Sequence, residues 1–467
     1  MDNNSENSHH KLNTLILFLG PFTAFVLYFI LKNGDNGLSH EACLTAGITL
    51  CTALWWVFEP IPIPVTSLLP IALFPFFGII TKTQVSEAYG HWLIILLMGG
   101  FILSTAMEKS GAHRRIALAM VNAFGKKSDK RLVLSFMIAS ASLSMWISNT
   151  ATTLMLLPIV SAIAAQADNK KLSIALLLGI AYAANIGGLG TPIGTPPNLI
   201  FISQYQAFTS IQIDFLQWMK WGIPVVIIFI PVMALYLTRG LSGKSNINIP
   251  QSGAWTQAER RVLIVFAITS IAWITRKMGG YGWSDALGLK GANDASVALL
   301  AVVALFIIPD GKGSRLLDWK TAEKIPWGLL LLFSGGLCIG KAFAKTGLSS
   351  YLGQNLEILH GLPVIFFILF LCLAVTFLTE ITSNTATTAI LMPILGAAAS
   401  SSDGNHLIFM IPAVMSASCA FMLPVATAPN AVVYSSGIFK LSTMMRTGFI
   451  LNLLGVTIIG SMCYLML

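Results

Sequence analysis

A six-residue polar sequence occurs twice in this chain, and it constrains the fold more than any other feature. Ser-Asn-Thr-Ala-Thr-Thr stands at 148–153 and again, unchanged, at 383–388, which is 235 positions later. Each copy interrupts a long apolar run and is followed by an apolar segment containing Pro-Ile, at 158–159 and at 393–394. Six identical residues followed by a matching Pro-Ile rarely recur by chance. We therefore interpret the two stretches as half-sites of one binding pocket, held near the middle of a membrane.

The apolar runs around these stretches predict an all-α integral membrane protein. The 467 residues are 55% hydrophobic and only 10% charged, whereas soluble domains have about 25% charged residues. Apolar runs of roughly 17 to 25 residues, the length of a membrane-spanning helix, recur from Leu15 to Met466. The alternation typical of a transmembrane barrel is missing from the sequence. We interpret 15–31 as a retained first helix after a cytoplasmic tail, not as a signal peptide.

The charges and cysteines are consistent with a membrane protein. The net charge is +9, but the Lys and Arg residues lie in short loops between apolar runs. This distribution is typical of cytoplasmic loops, so no nucleic-acid partner is predicted. The predicted exceptions, on the outer side, are Lys32, Lys82 and Arg276-Lys277. The six cysteines lie in or beside apolar segments without a CxxC pair, which favours small buried side chains over metal or disulfide roles.

The first polar stretch is predicted to be the tip of a re-entrant hairpin. Its arms, 132–147 and 154–165, are predicted to be too short to cross alone. Charged residues flank it on both sides, including Arg131 before it and Asp168 and Lys170 after it. Because basic flanks favour the cytoplasm, this hairpin is expected to enter from the inside.

The second polar stretch is predicted to be a hairpin that enters from the outside. Its arms are 362–382 and 389–399, and its flanks, His360 and the segment 400–403, carry no Lys or Arg. Two similar halves with opposite entry sides form an inverted repeat, the plan of many secondary transporters. The approach helices match as well, with Trp92 and Gly99-Gly100 in one half and Trp327 and Gly335-Gly336 in the other.

A broken helix is predicted after each hairpin. Glycine and proline crowd 187–198 and recur as Pro-Val-Ala-Thr-Ala-Pro-Asn at 424–430, a density that a continuous helix does not tolerate. Irregular backbone at membrane depth survives where it is buried in protein or lines a cavity. Both breaks are therefore expected to face the site.

The complete prediction is eleven transmembrane helices plus two re-entrant hairpins. The spans are expected near 14–31, 41–58, 61–80, 91–108, 172–202, 219–238, 260–276, 293–309, 325–346, 407–437 and 446–466. Residues 110–130, with basic residues around an apolar stripe, predict an amphipathic helix on the cytoplasmic membrane surface. A plain basic loop is the alternative.

The residues of each tip favour an anion. Ser, Asn and Thr are preferred at helix N-termini, so the second arm points free N–H groups and a positive dipole end at the tip. Two such ends across one pocket suit a small molecule with two carboxylates, and Asn149, Thr150, Asn384 and Thr385 add side-chain donors. The alternative is that these hydroxyls only bond back within packed helices.

A cation is expected beside each tip. Because neither tip carries Lys or Arg, the substrate charge needs a mobile counter-ion. Hydroxyls, amide oxygens and the freed carbonyls of broken helices suit Na⁺. The sequence therefore predicts two or more sodium ions, with one site per half.

The paired Ser-Asn-Thr motifs, with Gly-Thr-Pro-Pro-Asn at 194–198 and Ala-Thr-Ala-Pro-Asn at 426–430, resemble the divalent anion/sodium symporter family over nearly the whole chain. The resemblance implies a homodimer whose subunits have scaffold and transport domains and work like an elevator. Sodium ligands are implied at Ser144, Ser148, Asn149 and the backbone of Gly194, and at Thr379, Thr382, Asn384 and the backbone of Ala426. Substrate contacts are implied at Asn149, Thr150, Thr195, Asn384, Thr385 and Ala428.

Two positions depart from the family pattern. Ala428 stands where the family often has a second Pro, and Thr195 stands where some members have Ser. Asn-Thr in both motifs resembles the dicarboxylate branch more than the sulfate branch. The domains expected from this resemblance are a cytoplasmic tail (1–13), scaffold helices (14–109), an interfacial helix (110–130), the first hairpin and broken helix (131–210), further scaffold helices and the start of the second repeat (211–360), the second hairpin and broken helix (361–440) and a last helix (441–467).

Four ionisable residues lie in or near the spans, where such groups are functional candidates. Glu108 and Lys341 are interpreted as snorkelling near helix ends, and His91 stands at the start of a span. Glu380 precedes the second tip, and structural support and a role in coupling both remain open for it.

The sequence thus predicts a transporter of the bacterial cytoplasmic (inner) membrane, not an enzyme. It is expected to import C4-type dicarboxylates (succinate, malate, fumarate) with Na⁺. The alternatives are a sodium-independent dicarboxylate exchanger, or a sulfate or tricarboxylate symporter of the same fold. A channel would not need two closed tips, no catalytic cluster converges on the tips, and no GxxxxGK[ST] motif indicates ATP-driven pumping.

Overall fold

The computed structural model describes residues 3–34, 37–125, 128–166, 169–243, 253–278, 281–355, 363–401 and 405–467. These residues are helical throughout, and their one β-type contact is an isolated bridge between Pro309 and Arg315. Several charged or polar flanks discussed above lie outside the described residues: Lys126, Lys127, Asp168, His360, Ser402 and Asp403.

The described residues form twenty-three helices, of which twelve lie in the first half of the chain; a short 3-10 turn at Gly188–Gly190 follows the tenth. They are α1 (Asn3–Asn33), α2 (His40–Phe58), α3 (Ile63–Thr66), α4 (Leu68–Phe76), α5 (Lys82–Tyr89), α6 (Trp92–Ser110), α7 (Ala112–Phe124), α8 (Asp129–Ser144), α9 (Asn149–Gln166), α10 (Lys170–Gly187), α11 (Pro196–Thr209) and α12 (Phe215–Leu237).

The second half forms eleven more helices in a similar order. They are α13 (Gln257–Thr275), α14 (Trp283–Ala286), α15 (Asp294–Ile307), α16 (Trp319–Ala322), α17 (Trp327–Thr346), α18 (Leu348–Asn355), α19 (Val364–Ile381), α20 (Asn384–Ser401), α21 (His406–Ala417), α22 (Ala428–Tyr434) and α23 (Leu441–Met466).

A left-handed glycine ends the equivalent helix in each half. Gly111 closes α6 with φ 76°, Gly347 closes α17 with φ 75°, and a short helix follows at once in both cases. Glycine adopts this conformation without the Cβ clash that other residues meet. The helix predicted over 110–130 is therefore shorter, as α7. Its counterpart α18 was not predicted, since that segment lacks a basic stripe.

Nine helical stretches in the described part of the chain are long and apolar enough to cross a membrane, judged by length and composition. Among them are α9 and α19, with 18 residues each. The arm predicted over 154–165 is extended in the structure to α9, and the expectation that it is too short to cross is wrong by length, because its 18 residues lie within the range of about 17 to 25 that can span a membrane. The span predicted over 61–80 is divided at Ser67 into α3 and α4. The eleven-span topology remains a prediction.

A helix break is confirmed near each predicted position, although the second one covers 418–427 instead of 424–430. After α10 the backbone tightens into the 3-10 turn, becomes extended at Thr191 (φ −136°), and α11 restarts with Pro196 in its first turn. In the second half, α21 ends at Ala417 and α22 begins at Ala428. Close packing requires glycine in the first break, because a Cβ on Gly194 would lie 2.5 Å from the carbonyl oxygen of Gly188.

The last helix of each half packs directly on the break of that half. A Cβ on Gly222 of α12 would lie 2.1 Å from the Leu189 carbonyl oxygen, and one on Gly448 of α23 would lie 2.2 Å from that of Phe421. Trp218 Nε1 also donates to Leu189 O at 2.8 Å. Each break therefore packs closely against the last helix of its own half. The six cysteines, Cys43, Cys51, Cys338, Cys372, Cys419 and Cys463, are buried as well.

Candidate substrate and cation site

The two polar stretches meet in one cavity of about 950 Å³. Its wall includes the start of each polar stretch and part of each break, and these segments are 148–151, 383–385, 193–196 and 425–429. Segments more than 200 residues apart in sequence thus face one space. This proximity is what the interpretation of two half-sites in one pocket requires.

Four helices begin at this cavity, each with a hydroxyl residue at its N-cap. Ser148 Oγ accepts from the Ala151 N–H at 3.1 Å to cap α9, and Ser383 Oγ accepts from the Ala386 N–H at 3.3 Å to cap α20. Thr195 and Thr427 stand at the N-caps of α11 and α22. The residues after Ser148 and Ser383 form the first turns of helices instead of an irregular tip. Four positive helix ends therefore surround the cavity, an arrangement that favours an anion.

The first predicted cation site is a cluster of oxygen atoms around Asn149. The atom of its side-chain amide that faces inward lies 2.6 Å from Ser144 Oγ, 3.2 Å from Ala184 O and 3.3 Å from Gly194 O. If the amide oxygen faces inward, the cluster consists of four oxygen atoms, and the Ser144 hydroxyl supplies its one proton. If the nitrogen faces inward, its NH₂ group donates hydrogen bonds to the surrounding oxygens. With the amide oxygen facing inward, a cation in this cluster would be bound by neutral oxygen ligands in place of the amide hydrogens.

The predicted ligands of this site do not all share one place. Ser144, Asn149 and Gly194 come together, whereas the Ser148 hydroxyl caps α9 and the side chain is exposed. The carbonyl of Ala184, near the end of α10, joins the cluster and was not predicted. No sequence signal marks it, because backbone oxygens are contributed by fold geometry rather than by residue type.

The second predicted cation site centres on Thr379. Its hydroxyl lies 2.8 Å from Asn384 Oδ1 and 2.9 Å from Ala417 O. Thr382 is used differently, since its hydroxyl donates to Leu378 O at 2.9 Å and pairs with Thr387 Oγ1. Ala426 is buried in the cavity wall. Ala417 in this half thus occupies the role of Ala184 in the first.

An asparagine holds each break in the same way. Asn198 Nδ2 donates to Gly188 O at 2.9 Å and to Thr191 O at 2.8 Å. Asn430 Nδ2 donates to Ala420 O at 2.9 Å and to Leu423 O at 3.0 Å. Each acceptor in the second half is 232 positions after its counterpart in the first, as is the donor. The two halves are therefore repeated at the level of single hydrogen bonds.

The two N-cap threonines of the breaks differ. Thr427 Oγ1 accepts from the Asn430 N–H at 3.2 Å, while Thr195 makes no such bond and is only 3% exposed. The hydroxyls of Thr150 and Thr385 line the cavity, and the Cβ of Ala428 is exposed there. These positions offer donors and space to a substrate.

Helix α10 joins the two half-sites. Asn185 Nδ2 donates to Thr427 Oγ1 at 3.2 Å, and the Tyr182 hydroxyl donates to Phe421 O at 2.7 Å. Asn185 also lines the cavity. Sequence reasoning missed this residue because it lies inside an apolar helix, outside both repeated motifs.

The cavity extends along α6 to charged residues that were not predicted as part of a site. Its wall there includes Glu108, Lys109 and Lys324, and the Ser104 hydroxyl donates to Glu108 at 3.4 Å. Lys109 Nζ lies 2.6 Å from Asp318 Oδ2, and this hydrogen bond holds the pKa of Asp318 at about 2. Glu108, Lys109 and Lys324 thus place both charge signs on this part of the cavity wall.

Lys341 and His91, two of the four ionisable candidates from the sequence, have structural partners. Lys341 Nζ lies 2.8 Å from Glu87 Oε2 and donates to Gln84 O at 3.1 Å. His91 caps α6, where its Nδ1 accepts weakly from the Leu93 N–H at 3.4 Å. Within the described residues no group of His, Cys, Asp and Glu could hold a metal ion, so the cation ligands available at the tips are neutral oxygens.

Comparisons with known proteins find a matching family model and full-length relatives. A family model described as citrate transporter matches residues 53–408. The sodium-dependent dicarboxylate transporter SdcS of Staphylococcus saprophyticus is 39% identical over 99% of this chain and 93% of its own length. SdcS of Staphylococcus aureus strain USA300 is 37% identical over 96% of this chain and 90% of its own length.

Two solved structures share the fold at low sequence identity. The YdaH transporter of Alcanivorax borkumensis has a TM-score of 0.62 with 13% identity and covers 91% of this chain and 98% of its own. Neisseria gonorrhoeae MtrF has a TM-score of 0.59 with 13% identity, covering 85% and 84%.

Proposed function

The chain belongs to the divalent anion/sodium symporter family, and from this premise we propose that it imports C4-type dicarboxylates together with Na⁺. As a member of a transporter family it is not an enzyme. The proposed substrates are succinate, malate and fumarate, and the proposed location is a bacterial cytoplasmic membrane. The observation that carries the proposal is one cavity lined by both polar stretches and both breaks, with the N-termini of α9, α11 and α20 at its wall.

The charge distribution at the tips supports a symporter. A dianion attracted by helix N-termini, without Lys or Arg in either polar stretch, gains further stabilisation from a nearby cation. The oxygen clusters at Asn149 and Asn384 provide two places for Na⁺ beside the cavity. We propose that Na⁺ fills these clusters, fixes both asparagine side chains, and so completes the donors for the two carboxylates.

We further propose a homodimer with an elevator-type movement. The first hairpin and break (131–210) and the second (361–440) would move together, since Asn185 and Tyr182 bond across them. Packing of Gly222 and Gly448 against the breaks favours including α12 and α23 in this moving unit, although the sequence placed α12 with the scaffold. The remaining helices would form the scaffold.

Uptake of labelled succinate into proteoliposomes tests the proposal. The vesicles contain no internal dicarboxylate, and an inward Na⁺ gradient is compared with an equal K⁺ gradient. We expect uptake only with Na⁺, and loss of uptake in Asn149→Ala and Asn384→Ala. Asn122→Ala is the matched control, because Asn122 bonds Leu118 O within α7, away from the cavity.

Each other outcome identifies an alternative. Uptake that requires preloaded dicarboxylate and no Na⁺ would indicate an exchanger. Na⁺-driven uptake of sulfate or citrate but not succinate would indicate a symporter of the same fold with another substrate. Uptake unaffected by either tip variant would contradict the proposed site.

A further inference from the structure

The carboxylate of Glu380 holds the second break through three backbone N–H groups. Oε1 accepts from the N–H groups of Phe421 (2.7 Å) and Met422 (2.9 Å), and Oε2 accepts from that of Leu423 (3.0 Å). Asn452 Nδ2 of α23 donates to Oε1 at 2.8 Å. Glu380 is 3% exposed. Both oxygens accept hydrogen bonds, as in an ionised carboxylate.

Among the residues that the structure describes, this buried charge has no basic partner. The ion pairs formed by the described residues are Lys109–Asp318, Arg115–Glu259, Arg276–Asp294 and Lys341–Glu87. Glu380 is in none of them. Its negative charge is therefore balanced only by backbone and amide dipoles, and it remains available to stabilise a nearby cation.

The first half of the chain has an apolar pair at the corresponding positions. Thr379 matches Ser144 in its bond to the tip asparagine, so Glu380 corresponds to Met145. Gly448 matches Gly222 in its contact with the break, so Asn452, one turn further on, corresponds to Val226. Met145 indeed packs on the first break, where a Cβ on Gly190 would lie 2.8 Å from its Cε.

We propose that Glu380, oriented by Asn452, is a positioning residue that makes the second cation site the stronger of the two. This rests on the proposed Na⁺ symport. Glu380 directly follows Thr379, and it fixes Leu423, whose carbonyl also accepts from Asn430. It thus contributes a fixed backbone in the second break and a negative charge on the residue next to Thr379. The first site has only the neutral oxygens, so Na⁺ fills the second site first.

Two variants separate charge from structure. Glu380→Gln removes the charge and keeps the shape. The double variant Glu380→Met with Asn452→Val places in the second half the residues that stand at the corresponding positions of the first half, Met145 and Val226. Glu87→Gln is the control, since it removes one negative charge at an exposed position bonded to Lys341. All are prepared as the full chain in detergent and in proteoliposomes.

Two Na⁺ midpoints are measured. One is the Na⁺ concentration that gives half of the maximal rise in melting temperature without substrate, and the other is the Na⁺ concentration that gives half-maximal succinate uptake. Both midpoints should rise about tenfold in Glu380→Gln and in the double variant, the order expected for one charge acting through part of a protein interior. The KM for succinate at saturating Na⁺ should change less than about twofold, because the carboxylate donors remain. Glu87→Gln should match the wild type.

The result that overturns the inference is a folded double variant with wild-type Na⁺ midpoints. The same conclusion follows if the succinate KM rises while both Na⁺ midpoints stay constant. If Glu380→Gln does not fold, the double variant decides the question. A wild-type protein without Na⁺ dependence would instead refute the proposed symport, so the two failures are distinguishable.

Discussion

Arg276 and Asp294 form a two-point ion pair that is almost completely buried. Nε lies 2.5 Å from Oδ1 and Nη2 lies 3.2 Å from Oδ2, with the two side chains 2% and 3% exposed. The pair joins the end of α13 to the start of α15. It also explains why Arg276 is found on the side predicted to be external, since its charge is neutralised where it lies.

Removing one partner of this pair should destabilise the protein strongly. Asp294→Ala leaves a buried, unpaired guanidinium, which costs about 3–5 kcal/mol. We expect a large fall in the thermal unfolding temperature in detergent. Glu87→Ala, which breaks the exposed Lys341 pair and removes no helix cap, is the control and should have a negligible effect. Similar melting temperatures for both variants would contradict the prediction.

Asn198 and Asn430, which hold the two breaks, should be needed equally for Na⁺-driven uptake. Asn198→Ala and Asn430→Ala each remove the side-chain donor of two backbone carbonyls. Thr191 O and Leu423 O keep an N–H donor at 3.3 Å, so the main cost, about 1–3 kcal/mol, comes from the other carbonyl of each pair. Because the breaks present the cavity lining, we expect Na⁺-driven uptake to fall at least about tenfold in both variants, with protein still present in the membrane. Normal uptake by either variant would show that one break holds its shape without this residue.

Glycine replacements should separate close packing from mere flexibility. Gly222→Ala places a Cβ 2.1 Å from a backbone carbonyl oxygen of the first break, so the break or α12 has to move, and we expect loss of uptake and a lower melting temperature. Gly336→Ala is the matched control in α17, where the nearest atom is Ala389 Cβ at 3.9 Å. There alanine should be neutral, or stabilising by up to about 1 kcal/mol. Equal effects at the two positions would refute the packing explanation.

The Lys109–Asp318 ion pair beside the cavity should not contribute to the pH dependence of uptake near neutrality. The hydrogen bond from Lys109 holds the pKa of Asp318 at about 2, below the usual carboxyl value of 3.8. A lowered pKa in the folded state means that the pair contributes above about pH 4 and is lost only as the pH falls toward about 2. Asp318→Asn should therefore leave the shape of the uptake–pH profile between about pH 5 and 8 unchanged. A shifted profile would show that this pair titrates with transport.

The sequence predicted the features that depend on residue type in a fixed pattern. Helix breaks at 187–198 and 424–430 followed from glycine and proline, and the N-caps Ser148 and Ser383 followed from their side chains. The identical motifs predicted a shared pocket, and the structure brings them to one cavity.

Features that depend on three-dimensional contacts were not predicted. The carbonyls of Ala184 and Ala417 joined the oxygen clusters because of backbone geometry, and Thr382 found a partner in Thr387 that spacing alone does not indicate. Lys109 and Lys324 both line the cavity, although they are 215 positions apart in the sequence. For Glu380, sequence could not choose between support and coupling, because its four donors come from distant segments.

The burial of all six cysteines has a practical consequence for thiol labelling. Maleimide reagents in water react with exposed thiols, so the native chain should give a low background without replacement of its own cysteines. Val425 lines the cavity and is 79% exposed. A Val425→Cys variant would therefore carry one reactive thiol, and reagents applied from either face of the membrane would report which way the cavity opens as Na⁺ and substrate are added.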